Sequence, residues 1–178
     1  MSTCNRRRRP GGRFFFTVVL ADRRSRLLVE RIDDLRAAYG AVAAARPFRT
    51  GAIVVMPDHL HAVWTLPEGD TDYSTRWGAI KAGFTMGLRR AGFSPPSELP
   101  VVKSGRYAKL KPGLRVDRRE RGVWQRRFWE HTIRDEADFA ACVRYCHFNP
   151  VKHGEVEHPE DWPYSSVHRE IRGGRWVA

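Results

Sequence analysis

Cysteine is scarce in this chain: Cys4, Cys142 and Cys146 are its three thiols, and no C-x-x-C pair occurs. They are too few and too clustered for a disulfide framework, and the usual thiolate spacing of a zinc knuckle is missing. Cys142 and Cys146 lie four apart, on one face of any helix, so a zinc site completed by nearby histidines stands beside the plainer reading of two buried thiols. Long apolar runs are missing too. No segment approaches the roughly 18 uninterrupted apolar residues of a membrane span, and Phe14 to Leu20 covers only seven residues, too short for a signal core. Acid is the third shortage, with 20 Asp and Glu against 32 Lys and Arg and a formal net charge of +12. Such an imbalance favours polyanionic partners, nucleic acid first and an anionic lipid surface as its rival. We expect a soluble, cytoplasmic, nucleoid-associated protein that does not engage a membrane. The 178 residues suit one domain spanning 1–178, which buries about 70% of the surface of its unfolded chain. No internal repeat is evident.

Residues 1–12 form a basic arm in which Arg6, Arg7, Arg8 and Arg9 are candidate phosphate contacts. Arg13 to Leu20, rich in Phe and Val, reads as a first strand. Its three consecutive phenylalanines, Phe14, Phe15 and Phe16, cannot all face one way, so an outward ring is either core or a base-stacking surface. Ile32, Leu35, Tyr39 and Val42 recur at helical spacing until Pro47 intervenes. Ala52 to Met56 is a second strand, Pro57-Asp58 a turn, and Leu60 to Leu66 a third strand with His59 and His61 at its start. Tyr73, Trp77, Ile80, Phe84 and Leu88 write a second helix, whose other face carries Arg76, Lys81 and Arg89. Residues 91–122 then lose all periodicity. From Lys103 to Arg127 there are ten basic residues against Asp117 and Glu120, so this basic loop is unstructured or holds a polyanion, with Tyr107 available to stack on a base. Trp124 to Arg134 reads as a fourth strand, Asp135 caps a further helix that Pro150 ends, Trp162 to Ser166 reads as a packed loop, and 167–178 as a basic tail. The order β-α-β-β-α-β followed by a helix predicts an α+β, ferredoxin-like antiparallel sheet with an added C-terminal helix.

Alternation along a strand places His59 and His61 on one face, which is half of a metal site. Tyr145 and Asn149, four apart, share one face of the last helix. If that helix crosses the histidine face, two imidazole nitrogens and the Asn149 amide oxygen would bind a divalent cation, Mg²⁺ or Mn²⁺, with Zn²⁺ not excluded. Tyr145 would then be placed to attack a phosphorus and be joined to it covalently.

Val54 to His61, with Met56-Pro57-Asp58-His59-Leu60-His61 at its heart, and the downstream Tyr145-x-x-x-Asn149-Pro150-Val151-Lys152-His153-Gly154 resemble the REP-associated tyrosine transposases, single-tyrosine HUH endonucleases. The likeness extends to Gly11 to Val18, Trp64 to Asp70, Arg76-Trp77, Trp124 to His131 and Trp162 to Ser166. It implies His59 and His61 as metal ligands, Asn149 as the third, and Tyr145 as nucleophile. It also implies a single-stranded DNA substrate carrying a REP-type hairpin, cut with Mg²⁺ or Mn²⁺ to leave a 5′-phosphotyrosine and a free 3′-OH. Arg6, Arg7, Arg8, Arg9, Arg13, Lys81, Arg126 and Arg127 are the expected DNA contacts, and the protein is expected as a monomer or homodimer. The chain departs from the family pattern in its long basic stretch between 91 and 122 and its short tail. Two other readings remain: a non-catalytic single-strand-binding module on the same fold, and a metal-dependent hydrolase using water in place of tyrosine.

Overall fold

A computed structural model describes residues 11–92 and 122–176. Arg6 to Arg9, Cys4, Tyr107 and most of the basic loop lie outside the described residues. The first strand, β1 (Arg13–Val19), is followed by a single turn of helix α1 (Leu27–Glu30) and by α2 (Ile32–Ala45). Strands β2 (Arg49–Val55) and β3 (His59–Thr65) form a hairpin closed by Met56 N–H on His59 O at 2.8 Å. Helix α3 (Tyr73–Arg90), strand β4 (Trp129–Thr132), helix α4 (Glu136–Lys152) and a short helix α5 (Val167–Arg172) complete the chain.

The strands lie in the order β2-β3-β1-β4, with antiparallel pairing at every step. Each β-helix-β unit therefore skips one strand, and the ferredoxin-like arrangement expected from the element order is the one observed.

Pairing register sorts the side chains. Residues directly opposite share a face, so Phe14, Phe16, Val18, Leu60, Ala62 and Trp64 point together at α2 and α3. The stripe Tyr73, Trp77, Ile80, Phe84 and Leu88 meets them, every member essentially buried. Trp64 stacks on Trp77 at 4.3 Å between centroids, and its indole N–H donates to Tyr39 Oη at 2.7 Å. Each such side chain stabilises the fold by about 1.5–3 kcal/mol, and this layer holds the sheet rigid. The opposite face gathers Phe15, Thr17, Ala52, Val54, His59, His61 and Val63, and α4 lies across its β2 and β3 side.

Local signals explain most boundaries. Asp72 caps α3 through Thr75 N–H at 3.0 Å, and Asp135 caps α4 through Asp138 N–H at 2.8 Å, each satisfying an orphan donor of the first turn. Two expectations need correction. The fourth strand is only Trp129–Thr132, because Trp124 reaches β1 through an isolated bridge to Leu20 and its ring packs into the α3 core. Pro150 does not end α4. The helix runs on to Lys152, since proline removes only its own N–H while Asn149 O still accepts from His153 N–H at 3.0 Å. The stretch expected as a basic tail holds α5, whose Arg169 guanidinium donates to Thr50 O and Gly51 O at the edge of β2. Ser165 bridges Val54 on that same edge, so the C-terminal segment covers a strand that would otherwise be open to pairing.

Candidate active site

His59 and His61 begin β3, held by the hairpin turn, and both are 4% exposed on the face beneath α4. Their ring centroids lie 5.0 Å apart. Each ring is fixed through its Nδ1. His59 Nδ1 sits 2.7 Å from Asp58 Oδ1, and Asp58 is itself paired with Arg23 at 2.9 Å. His61 Nδ1 sits 2.9 Å from Thr17 Oγ1 on β1. With Nδ1–H donated to Asp58, and with Thr17 able to accept from His61, both rings turn a lone pair outward at Nε2, as metal-ligating histidines do. Burial pushes the His61 pKa well down, and the nearby His59, His153, Lys152 and Arg23 push it further, so its imidazole is neutral near pH 7.

Asn149 is fully buried on α4 and points its Oδ1 at His59 Nε2, 3.3 Å away. Two acceptors facing one another repel unless a cation or proton lies between them. The Asn149 Nδ2 has no partner among the described residues. Flipping the amide would let Nδ2 donate to His59 and close the contact as a plain hydrogen bond. The donor set of two imidazoles, each oriented through its Nδ1, and a buried amide oxygen fits a divalent cation of the Mg²⁺ or Mn²⁺ class.

One helical turn before Asn149, Tyr145 is 41% exposed, with its ring 5.1 Å from that of His61 and 5.7 Å from Phe15. Lys152 Nζ lies 4.9 Å above the tyrosine ring, and the His153 ring is 5.2 Å from His59. Both reach the site because α4 continues past Pro150. Beside His59 opens a cleft of about 240 Å³ lined in part by Arg23, Arg24, Arg26, Asp58 and His153. The four residues singled out from sequence, His59, His61, Tyr145 and Asn149, thus come together. Thr17, Arg23, Asp58, Lys152 and His153 were missed. Spacing in the sequence makes Asp58 a turn residue, and only its position next to His59 points to a second role.

The expected DNA contacts divide. Arg126 and Arg127 are exposed on the segment leading into β4. Arg13 is bonded to the Glu136 carboxylate, with its guanidinium 4.9 Å from the Phe139 ring centroid. Lys81 Nζ donates to Gln125 O at 2.9 Å and lies 5.6 Å from the Phe128 ring centroid, so it ties α3 to the segment before β4. Phe15 faces α4 but is 5% exposed and stacked 5.4 Å from His61, which makes it core and not a base-stacking surface.

A second donor group consists of His131, Asp138 and Cys142, with ligand atoms all within 4.8 Å. Asp138 already accepts from Arg134 N–H at 3.0 Å and lies 2.9 Å from His131 Nε2, and these donors pull its carboxyl down to about 2. Burial first, then the Asp138 charge, pushes the Cys142 thiol up to about 11. A protonated thiol beside a carboxylate held by three N–H donors is a clamp between β4 and α4. Cys146 stands apart, fully buried in the sheet-helix core, so the two cysteines do not share a zinc site.

No protein-family model matches the chain. Among curated proteins, it is 42% identical over 164 residues to the REP-associated tyrosine transposase of Escherichia coli K12, covering 92% of this chain and 81% of that protein. A Haemophilus influenzae Rd protein assigned to the same family is 42% identical over 172 residues, covering 97% of this chain and 89% of the relative. A solved structure of a REP-associated tyrosine transposase bound to a REP hairpin superposes with a TM-score of 0.79 at 39% identity, covering 99% of this chain and 89% of that one. With identity of this level along nearly the whole length, and the same fold beneath it, the chain belongs to the REP-associated tyrosine transposase family.

Proposed function

We propose that the protein is a metal-dependent single-stranded DNA endonuclease and strand transferase acting on REP-type hairpins, with Tyr145 as nucleophile. The observation that carries this reading is the convergence of four side chains, with His59 Nε2 3.3 Å from the Asn149 amide, the two imidazole centroids 5.0 Å apart and the Tyr145 ring 5.1 Å from His61. A hairpin substrate is supported by the hairpin-bound relative of the same fold and by the +12 charge.

A divalent cation, Mg²⁺ or Mn²⁺, would be held by His59, His61 and Asn149 and would polarise an oxygen of the scissile phosphate. Asp58 and Thr17 keep the two imidazoles in the ligating tautomer. Tyr145 Oη loses its proton to water and forms a bond to phosphorus, while the bond from phosphorus to the 3′ oxygen breaks. That oxygen takes the electron pair and a proton from water and leaves as a free 3′-OH. Lys152, with its ammonium beside the Tyr145 ring, offers positive charge where the phenolate and the phosphate meet. The 5′-phosphotyrosine ester conserves the phosphodiester for rejoining, which suits strand transfer better than degradation.

The test is incubation of the protein and its Tyr145→Phe variant with 5′- and 3′-labelled single-stranded REP hairpins, with Mn²⁺ or chelator, followed by denaturing gels. We expect a metal-dependent covalent adduct on the fragment 3′ of the cut, absent from the variant. Cleavage that persists in Tyr145→Phe without an adduct would replace tyrosine by water. Tight binding with no cutting under any condition would leave a binding module with idle histidines.

A further inference from the structure

Helix α4 covers the β2 and β3 side of its sheet face and leaves the β4 margin open. On that margin Trp129 stands opposite Thr17 in register, and it is 57% exposed, the most exposed large apolar side chain among the described residues. Leaving an indole in water on a sheet costs hydrophobic free energy that a buried neighbour would recover. Its setting is ordered all the same. The His131 ring, two residues on and therefore on the same face, lies nearly parallel to it, 6.0 Å away at 8°. His131 is in turn held by Asp138 from the first turn of α4. Trp129 also meets Phe15 edge to face, with centroids 5.7 Å apart, and Phe15 meets the ring of Tyr145 in the same way, also at 5.7 Å. An exposed, fixed indole thus sits one ring away from the tyrosine.

We infer that Trp129 is a stacking platform for a nucleobase of the single strand, adjoining the phosphate presented to Tyr145. The inference rests on the nuclease reading above and adds a positioning residue to it. Every base offers a π-face, so such a platform holds the strand regardless of sequence, and a base seated on it would fix where the neighbouring phosphate falls. The surroundings suit an anionic strand: Lys152 is exposed with its ammonium beside the Tyr145 ring, and Arg126 and Arg127 are exposed just before β4, while Arg134 is paired with Asp138. A single exposed indole on an open sheet margin offers a small molecule no enclosing pocket, whereas a strand held along its phosphates needs only a face to stack on.

The test uses the full chain in the Tyr145→Phe background, so that binding is read without covalent capture. Fluorescence anisotropy would measure affinity for a labelled oligothymidylate and for an abasic oligomer of the same length. Loss of one base-aromatic stack corresponds to about tenfold weaker binding. Trp129→Ala is therefore expected to lose about tenfold on oligothymidylate and nothing on the abasic strand, with Trp129→Phe restoring most of the difference. Unchanged affinity in Trp129→Ala, or an equal loss on both probes, would overturn the platform. If the protein with Tyr145 intact forms a metal-dependent adduct while Trp129→Ala in the Tyr145→Phe background binds as tightly as before, only this inference fails. If the protein with Tyr145 intact forms no adduct and the Tyr145→Phe protein binds neither probe, the nuclease reading fails with it.

Discussion

His147 shows how a single side chain couples the last helix to the sheet. It is buried on α4, and its Nε2 lies 3.1 Å from Ser166 Oγ, which accepts from Ile53 N–H on β2 at 2.9 Å. The serine hydroxyl accepts from Ile53 N–H and still has a proton to donate to the Nε2 of a neutral imidazole. Burial supplies that neutrality by pulling the His147 pKa down to about 4. In the unfolded chain the ring titrates near its ordinary value of about 6.5. Between those values the unfolded state binds the extra proton, so the contribution of His147 to stability is complete above about pH 6.5 and is lost as pH falls toward 4. The melting temperature should drop across that window, and His147→Gln should drop less. Parallel profiles for the two proteins, followed by circular dichroism, would dismiss the coupling. At this scale the sequence was informative where spacing alone defines a face: His59 with His61, and Tyr145 with Asn149. It gave no role to Thr17, Lys152 and His153, although they fall within the family-like stretches, because what recruits them is a neighbour across the sheet or a helical turn beyond an expected stop.

At the scale of elements, the placement of α4 decides whether Tyr145 reaches the histidines. Gly51 is the extra residue of a bulge in β2, between Thr50 and Ala52. A Cβ there would meet the Phe139 ring at 3.2 Å and Val63 at 3.3 Å. The helix is seated against bare backbone at this point, and a larger residue must lift it. Gly51→Val should destabilise the protein by about 1–3 kcal/mol, as overpacking typically does, and should lower adduct yield more than single-strand binding. Urea unfolding together with the labelled-hairpin gel would check this, and an unaltered adduct yield would mean that the helix tolerates the shift. Helices with long apolar stripes and aspartate caps could be placed from sequence. The fourth strand was overextended to Trp124 because an aromatic-rich run looks alike whether it pairs in a ladder or packs over a helix.

For the whole molecule, the charge is the broadest statement the composition makes. Six phosphate contacts predict that the logarithm of single-strand affinity falls with the logarithm of salt at a slope of about −4. Titration of the Tyr145→Phe variant with an oligothymidylate at several salt concentrations would measure it, and a slope near zero would remove the electrostatic account of the +12 charge. By itself the sequence determined the net charge, the order of elements, the sheet they form and two pairs of residues that each share a face, His59 with His61 and Tyr145 with Asn149, because charge, periodicity and fixed spacing are local properties of a chain. Only the tertiary structure decided that the two histidines are held through Asp58 and Thr17, that α4 runs on to bring Lys152 to Tyr145, and that Trp129 is left uncovered beside Phe15. Each of these depends on which strand lies next to which, and on how far one helix spreads over a sheet. Such contacts join residues far apart in the chain, and no local pattern encodes them.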